Sequence, residues 1–190
     1  MNAIDDVDTG AELEAGTGLD GERKSHLRDF QARLSERLRQ ASTAPRSARL
    51  GLAIGDQRWL VDLSEAGEIV PIPSQITVVP LTRDWFKGLV NLRGSLFGVS
   101  DLLRFAGDAP TPIGKESRLI AFSASLNLNA ALLVTRMLGL HDSQHWSHDP
   151  SRQHWAPWAG RCLVDGEGRE WFELSLSKLA ADDRFLSVNR

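Results

Sequence analysis

The stretch from Trp85 to Leu102 constrains this chain more than any other. It holds two short apolar runs that meet at Arg93-Gly94. Glycine takes a positive φ without steric cost, so the chain can reverse there. Ahead of the bend, Leu89, Asn91 and Arg93 alternate with Val90 and Leu92. Beyond it, Leu96, Phe97 and Val99 lead to Asp101-Leu102. This pattern on either side of a glycine bend predicts a β-hairpin with a charged residue at its tip.

Strand signals continue in both directions. Leu50, Leu52 and Ile54 alternate, Gly55-Asp56-Gln57 supplies turn residues, and Trp59 to Leu63 resumes the run. Glu68-Ile69-Val70 leads into a segment punctuated by Pro71, Pro73 and Pro80, and such prolines belong on sheet edges or in loops. Leu119 to Phe122 and Ala131 to Val134 read as strands around a turn at Asn127-Leu128-Asn129. Gly160 to Val164 and Glu170 to Leu174 flank Asp165-Gly166-Glu167-Gly168 as a further hairpin. Helical signals here are short: a turn from Leu102 through Phe105, and a terminal helix from Ser175 to Ala181 with Leu176 and Leu179 inward. Gly107 to Gly114, which contains Pro110 and Pro112, reads as a linker between two halves, with a hinge at about 107–116. Residues 141–158 read as a polar, aromatic loop. Many short strands with brief turns predict a mainly β fold rather than an α/β sheet.

The first fifty residues are a different kind of segment. Residues 1–20 carry six acidic side chains and no basic ones, while residues 21–49 carry eight basic and three acidic. The acidic stretch has too little apolar surface to offset the entropy of ordering, so disorder is expected over 1–20. Within residues 21–44, Leu27, Phe30, Leu34, Leu38 and Ala41 recur at spacings of three and four, which predicts an amphipathic helix ended by Ser42-Thr43-Ala44-Pro45. That helix either packs on its own domain or docks on a partner. The domain proper is expected over 45–190. With 190 residues the chain can bury one sizeable core. No apolar run approaches the ~18 residues of a membrane span, and Met1 to Gly10 lacks the basic and apolar regions of a secretory signal. Cys162 is the sole cysteine, so no intrachain disulfide can form. Together these predict a cytoplasmic protein. The net charge of −3 argues against a nucleic-acid partner.

The segment Trp85-Phe86-Lys87-Gly88-Leu89-Val90-Asn91-Leu92-Arg93-Gly94, followed by Leu96, Val99, Asp101 and Leu102, resembles the signature of the CheW family of bacterial chemosensory adaptors. Asp56 to Val61 and Glu68-Ile69 are similar to the family's first hairpin and the segment after it. The resemblance spans about residues 48–185. It is strongest to adaptors of systems that control type IV pili and twitching motility. It implies two small five-stranded β-barrels around a shared core, no enzymatic activity and no cofactor. The implied partners are the cytoplasmic tip of a methyl-accepting chemoreceptor and the regulatory domain of a CheA-like histidine kinase. Two positions depart from the family pattern: Gly98 stands where proline is usual, and Thr135 where an acidic residue often follows the Val-rich strand.

Candidate chemistry is sparse. His141, His145, His148, His154 and Cys162 are suitable zinc ligands, and the four-residue step from His141 to His145 would share a helical face. Their overall spacing fits no compact metal motif, and Trp146, Trp155 and Trp158 lie among them, so an aromatic surface loop explains the composition and no metal is assigned. No nucleophile elbow, phosphate loop or calcium loop is present. The residues assigned to protein binding are Glu68, Trp85, Asn91, Arg93, Gly94 and Phe97. Trp59 and Trp171 sit in strand-like runs and are expected in the core, whereas Trp85 is the surface candidate. Glu68 is the carboxylate expected beside Arg93, since the resemblance places both near one face. Such a pair either braces the hairpin or belongs to the contacted surface. A generic β-barrel binding module for some other ligand is the alternative to the adaptor.

Overall fold

The computed structural model describes residues 48–190. The expectations for residues 1–20 and 21–44 lie outside the described residues. Among the described residues, eleven strands form two sheets. The first two strands are β1 (Ala48–Ile54) and β2 (Gln57–Asp62). Five follow in one block: β3 (Ala66–Pro71), β4 (Phe86–Leu92), β5 (Ser95–Ser100), β6 (Arg118–Phe122) and β7 (Ala130–Val134). The last four are β8 (Arg136–Asp142), β9 (Ser147–Gln153), β10 (Ala159–Val164) and β11 (Glu170–Leu174). Helices are short: α1 (Leu102–Ala106), α2 (Leu176–Ala180) and α3 (Asp183–Leu186).

The strands sort into an order β3-β6-β7-β5-β4 and an order β8-β1-β2-β11-β10-β9. The five-stranded sheet is therefore one uninterrupted stretch of chain, inserted between β2 and β8 of the six-stranded sheet. This corrects the expected division into sequence halves. The 107–116 segment leads from α1 to β6 within the inserted sheet, and the passages between sheets fall after β2 and after β7. The other departure is β9, an edge strand formed from residues read as loop. Its sequence, Ser-His-Asp-Pro-Ser-Arg-Gln, has no apolar alternation because the strand is exposed along nearly its whole length.

Burial explains why so many strands read as continuous apolar runs. Side chains alternate between the two faces of a strand. In β7, Ala130, Leu132 and Val134 face the core shared with Leu52, Ile54 and Trp59 of the six-stranded sheet, whereas Ala131 and Leu133 join a separate cluster with Val90, Val99 and Leu119. Likewise Trp59 and Val61 of β2 enter the shared core, and Leu60 turns to Leu163 and Trp171. Each fully buried leucine contributes about 2 kcal/mol. Helix α2 lays Leu176 and Leu179 on the shared core, as its spacing predicts. Its N-terminus is held by Glu65, whose carboxylate accepts from Leu176 N at 2.7 Å and from the hydroxyls of Ser175 and Ser177.

Two positions carry unusual local demands. Gly88 in β4 has φ 128°, and a Cβ there would collide with the Thr77 carbonyl. That close approach lets Thr77 pair with Leu89, donating at 2.9 Å and accepting at 2.8 Å, so the preceding loop covers the outer edge of β4. Asp165 closes the β10–β11 turn. Its carboxylate accepts from the amides of Glu167 and Arg169, from Arg169 Nε at 2.7 Å and from Trp171 Nε1 at 2.9 Å. The turn is a carboxylate-centred hairpin, as the sequence Asp165-Gly166-Glu167-Gly168 between two strand runs predicts. Burial alone would raise the Asp165 carboxyl, but these hydrogen bonds more than reverse that and hold it well below the usual carboxylate range.

Gly88→Ala is expected to cost about 3 kcal/mol or more, from the strained φ and the clash with backbone, and is checked by denaturant unfolding. Asp165→Ala leaves the buried Trp171 N–H unpaired and is expected to cost about 1–3 kcal/mol at neutral pH. Because the folded carboxyl titrates low, its contribution is complete above the unfolded value of about 3.9 and is lost as pH falls below it. The variant should accordingly show a flatter fall of Tm on the acid side than the parent protein.

Candidate protein-docking site

The β4–β5 hairpin forms as its pattern predicts. Leu92 pairs with Ser95, Asn91 with Leu96 and Val90 with Phe97, leaving Arg93-Gly94 as a two-residue loop. Both loop residues have positive φ, 49° at Arg93 and 89° at Gly94, as a type I′ turn requires. The sequence reading placed this conformation on Gly94 alone; Arg93 shares it. Asn91 Oδ1 accepts from Gly94 N at 2.8 Å and closes the bend from below. No atom lies near the place where a Gly94 side chain would go, so glycine is needed there for its backbone and not for space.

Arg93 projects from the tip with its side chain 82% exposed, and its guanidinium meets the Glu68 carboxylate at 2.9 Å. The expected pair is thus present. In a flat sheet β3 would lie three to four strand spacings from this tip, about 14–19 Å away. The contact shows how far the sheet curls, bringing its two edges together as a small barrel demands. Leu96, directly across from Asn91, is exposed beside them. It is the residue that sequence reading missed, and register alone could have found it, since opposed residues share a face. Phe97 is half-buried and packs against the cluster of Val90, Val99 and Leu133.

The base of the hairpin rests on a buried carboxylate. Asp101, fully buried, accepts from Thr111 Oγ1 at 2.6 Å, from Thr111 N at 3.0 Å and from Arg104 N at 3.3 Å, which caps α1. Lys87 Nζ lies 3.4 Å from the same carboxylate. Thr135, at the second departure from the family pattern, accepts from Gly55 N at 2.9 Å. At the other departure, a Cβ on Gly98 would press on the Phe86 ring at 2.8 Å.

Trp85 is not a surface residue. It is 6% exposed, stacked on Phe185 at 5.6 Å and set edge-on to Phe105 at 5.1 Å. The cause is long-range: α3 and the chain after it fold back over the entry to β4, where Arg83 N donates to Val188 O at 2.8 Å. What remains of Trp85 floors a cleft of about 530 Å³ shared with Arg83, Asp84, Phe105, Asp183 and Arg184.

His141 and His154 each pack among aromatic rings, in separate groups. His141 lies on extended β8, not on a helix, and packs against Trp146 and Trp171; His154 packs on a different set. Among the described residues, no group of three or more His, Cys, Asp or Glu is placed to hold a metal ion. The hairpin surface offers a cation, a carboxylate, an amide and a leucine at fixed positions. That composition can recognise another protein surface.

Comparison with known proteins bears on the family and the fold. The chain is 28% identical to the protein PilI of Pseudomonas aeruginosa strain PAO1 over 144 residues, which cover 73% of this chain and 78% of that one. A solved structure, the scaffolding protein TtCheW from Thermoanaerobacter tengcongensis, superposes with a TM-score of 0.57 at 20% identity, covering 67% of this chain and 88% of the other. The pattern of the CheW-like domain family matches residues 49–184, within one residue at each end of the span read from the motifs. This protein belongs to the CheW-like domain family, a family of non-catalytic scaffolds in chemosensory signalling.

Proposed function

We propose that the protein couples the cytoplasmic tip of a methyl-accepting chemoreceptor to the regulatory domain of a CheA-like histidine kinase, in a system that controls type IV pili and twitching motility. The observation that carries this reading is the β4–β5 hairpin: a rigid bend, buttressed by Asp101 below, that presents Arg93, Glu68, Asn91 and Leu96 to solvent. The likeness to PilI over most of both chains supports the assignment to the pilus branch. Signal passes through a change in how the partners dock on this scaffold, with no bond made or broken here. Such an adaptor works in the cytoplasm at receptor arrays. Among the described residues no helix is long and apolar enough to cross a membrane.

Arg93 contributes through five fixed donors and a permanent charge, and Glu68 orients it. As an exposed pair the two contribute at most about 1 kcal/mol to stability. Arg93→Ala should therefore leave Tm nearly unchanged and weaken binding to the receptor–kinase pair by about tenfold or more, measured by calorimetry. In cells the same variant should shrink the twitching zone. A double-mutant cycle with Glu68→Ala separates bracing from contact, since a bracing pair couples in stability and a contact pair in affinity. Full binding by Arg93→Ala would remove this hairpin from the docking surface.

A further inference from the structure

The docking surface uses none of the histidines, yet one of them sits in an unusual position. His154 lies on the connection from β9 to β10, surrounded by four aromatic rings. Trp59 of β2 approaches at 5.1 Å, Trp158 at 5.4 Å, Phe172 of β11 at 5.6 Å and Trp155 at 5.7 Å. Trp155 stacks on it at an interplanar angle of 26° and is itself 62% exposed, so it forms the outer layer of the group. Trp59 and Trp158 are buried beneath.

The polar contacts of His154 require one protonation state. Its Nδ1 lies 3.2 Å from Ala156 N and accepts that amide's proton. This is the arrangement of an Asx turn, with an imidazole nitrogen in place of a side-chain oxygen. An acceptor needs a lone pair, so the ring is neutral with its proton on Nε2. A proton on Nδ1 would set N–H against N–H across the bond that shapes the turn. The surroundings are already short of acceptors: Trp59 Nε1 is buried with no partner among the described residues. Asp108, on the connection after α1, is the charged group that bears on the ring, while β2, β11 and the connection itself present the four rings. Burial pushes the imidazole down from its ordinary value, and the Asp108 carboxylate offsets this only in part.

We propose that the His154–Trp158 connection is a proton-sensitive latch: protonation of His154 breaks the turn at Ala156, lifts Trp155 from the ring beneath it and frees the adjoining ends of β9 and β10. Because the fold holds the neutral form, the latch is complete above the unfolded value of about 6.5 and weakens as pH falls below it. Carboxylates titrate lower, so the window between about pH 7.5 and about pH 5.5 isolates imidazole chemistry.

The test compares the full chain with His154→Asn. The Asn side-chain oxygen can accept from Ala156 N and cannot be protonated in this range. The parent protein should lose several degrees of Tm across the window and gain hydrogen exchange at residues 156–160. His154→Asn should show neither change, and His148→Asn, on exposed β9, should behave as the parent. Equal pH dependence in His154→Asn and the parent would overturn the proposal. NMR of the parent protein gives a second measurement that needs no variant. A His154 midpoint below about 6.5 with the proton on Nε2 supports the latch. A proton on Nδ1, or a midpoint at or above the ordinary value because the ring faces favour the cation, overturns it.

Discussion

The buried carboxylate of Asp101 is the constraint on which the presentation of the hairpin depends. It joins four separate pieces of chain: the end of β5, the first turn of α1, Thr111 of the long connection and Lys87 at the start of β4. A charge with no exposure is tolerable only when its oxygens are saturated with donors, and here two amides, a hydroxyl and an ammonium group serve. The arrangement fixes where the hairpin leaves the body of the protein. Removing any one partner would leave the remaining charge short of a donor, so the four pieces hold their places together.

The exposed pair at the other end of the hairpin works differently. Arg93 and Glu68 are wet, and their attraction is screened. Their value is positional: Glu68 from one edge of the five-stranded sheet restricts the guanidinium at the other. A scaffold gains from this division. Buried groups set the backbone, and exposed groups remain free to exchange one partner for another without cost to the fold.

How much of this could be read from the chain differs by element. The hairpin was legible because its apolar runs and Arg93-Gly94 are local signals, and α2 because Leu176 and Leu179 are three apart above a serine cap. Strand β9 was not legible, since an edge strand exposed on both faces needs no apolar alternation and Pro150 argues against a strand. The burial of Trp85 depends on Phe185, a hundred residues downstream, and no local pattern reports that. Asp101 was visible as part of a motif, but its partners Thr111 and Lys87 were not, because three-dimensional proximity leaves no periodic trace. The Glu68–Arg93 pair was legible through family resemblance and not through spacing.

The placement of one sheet inside the sequence of the other bears on the order of assembly during synthesis. Every strand of the five-stranded sheet lies between residues 66 and 134, so that sheet can pair completely while the later chain is still being made. The six-stranded sheet cannot. Strand β2 waits for β11 to form their parallel ladder, in which Trp59 sits beside Phe172, and until then Trp59 and Val61 have only part of their packing. On a ribosome, the hairpin side of the protein would take shape first, and the enclosing sheet would close around it from both ends of the domain as the last strand emerges.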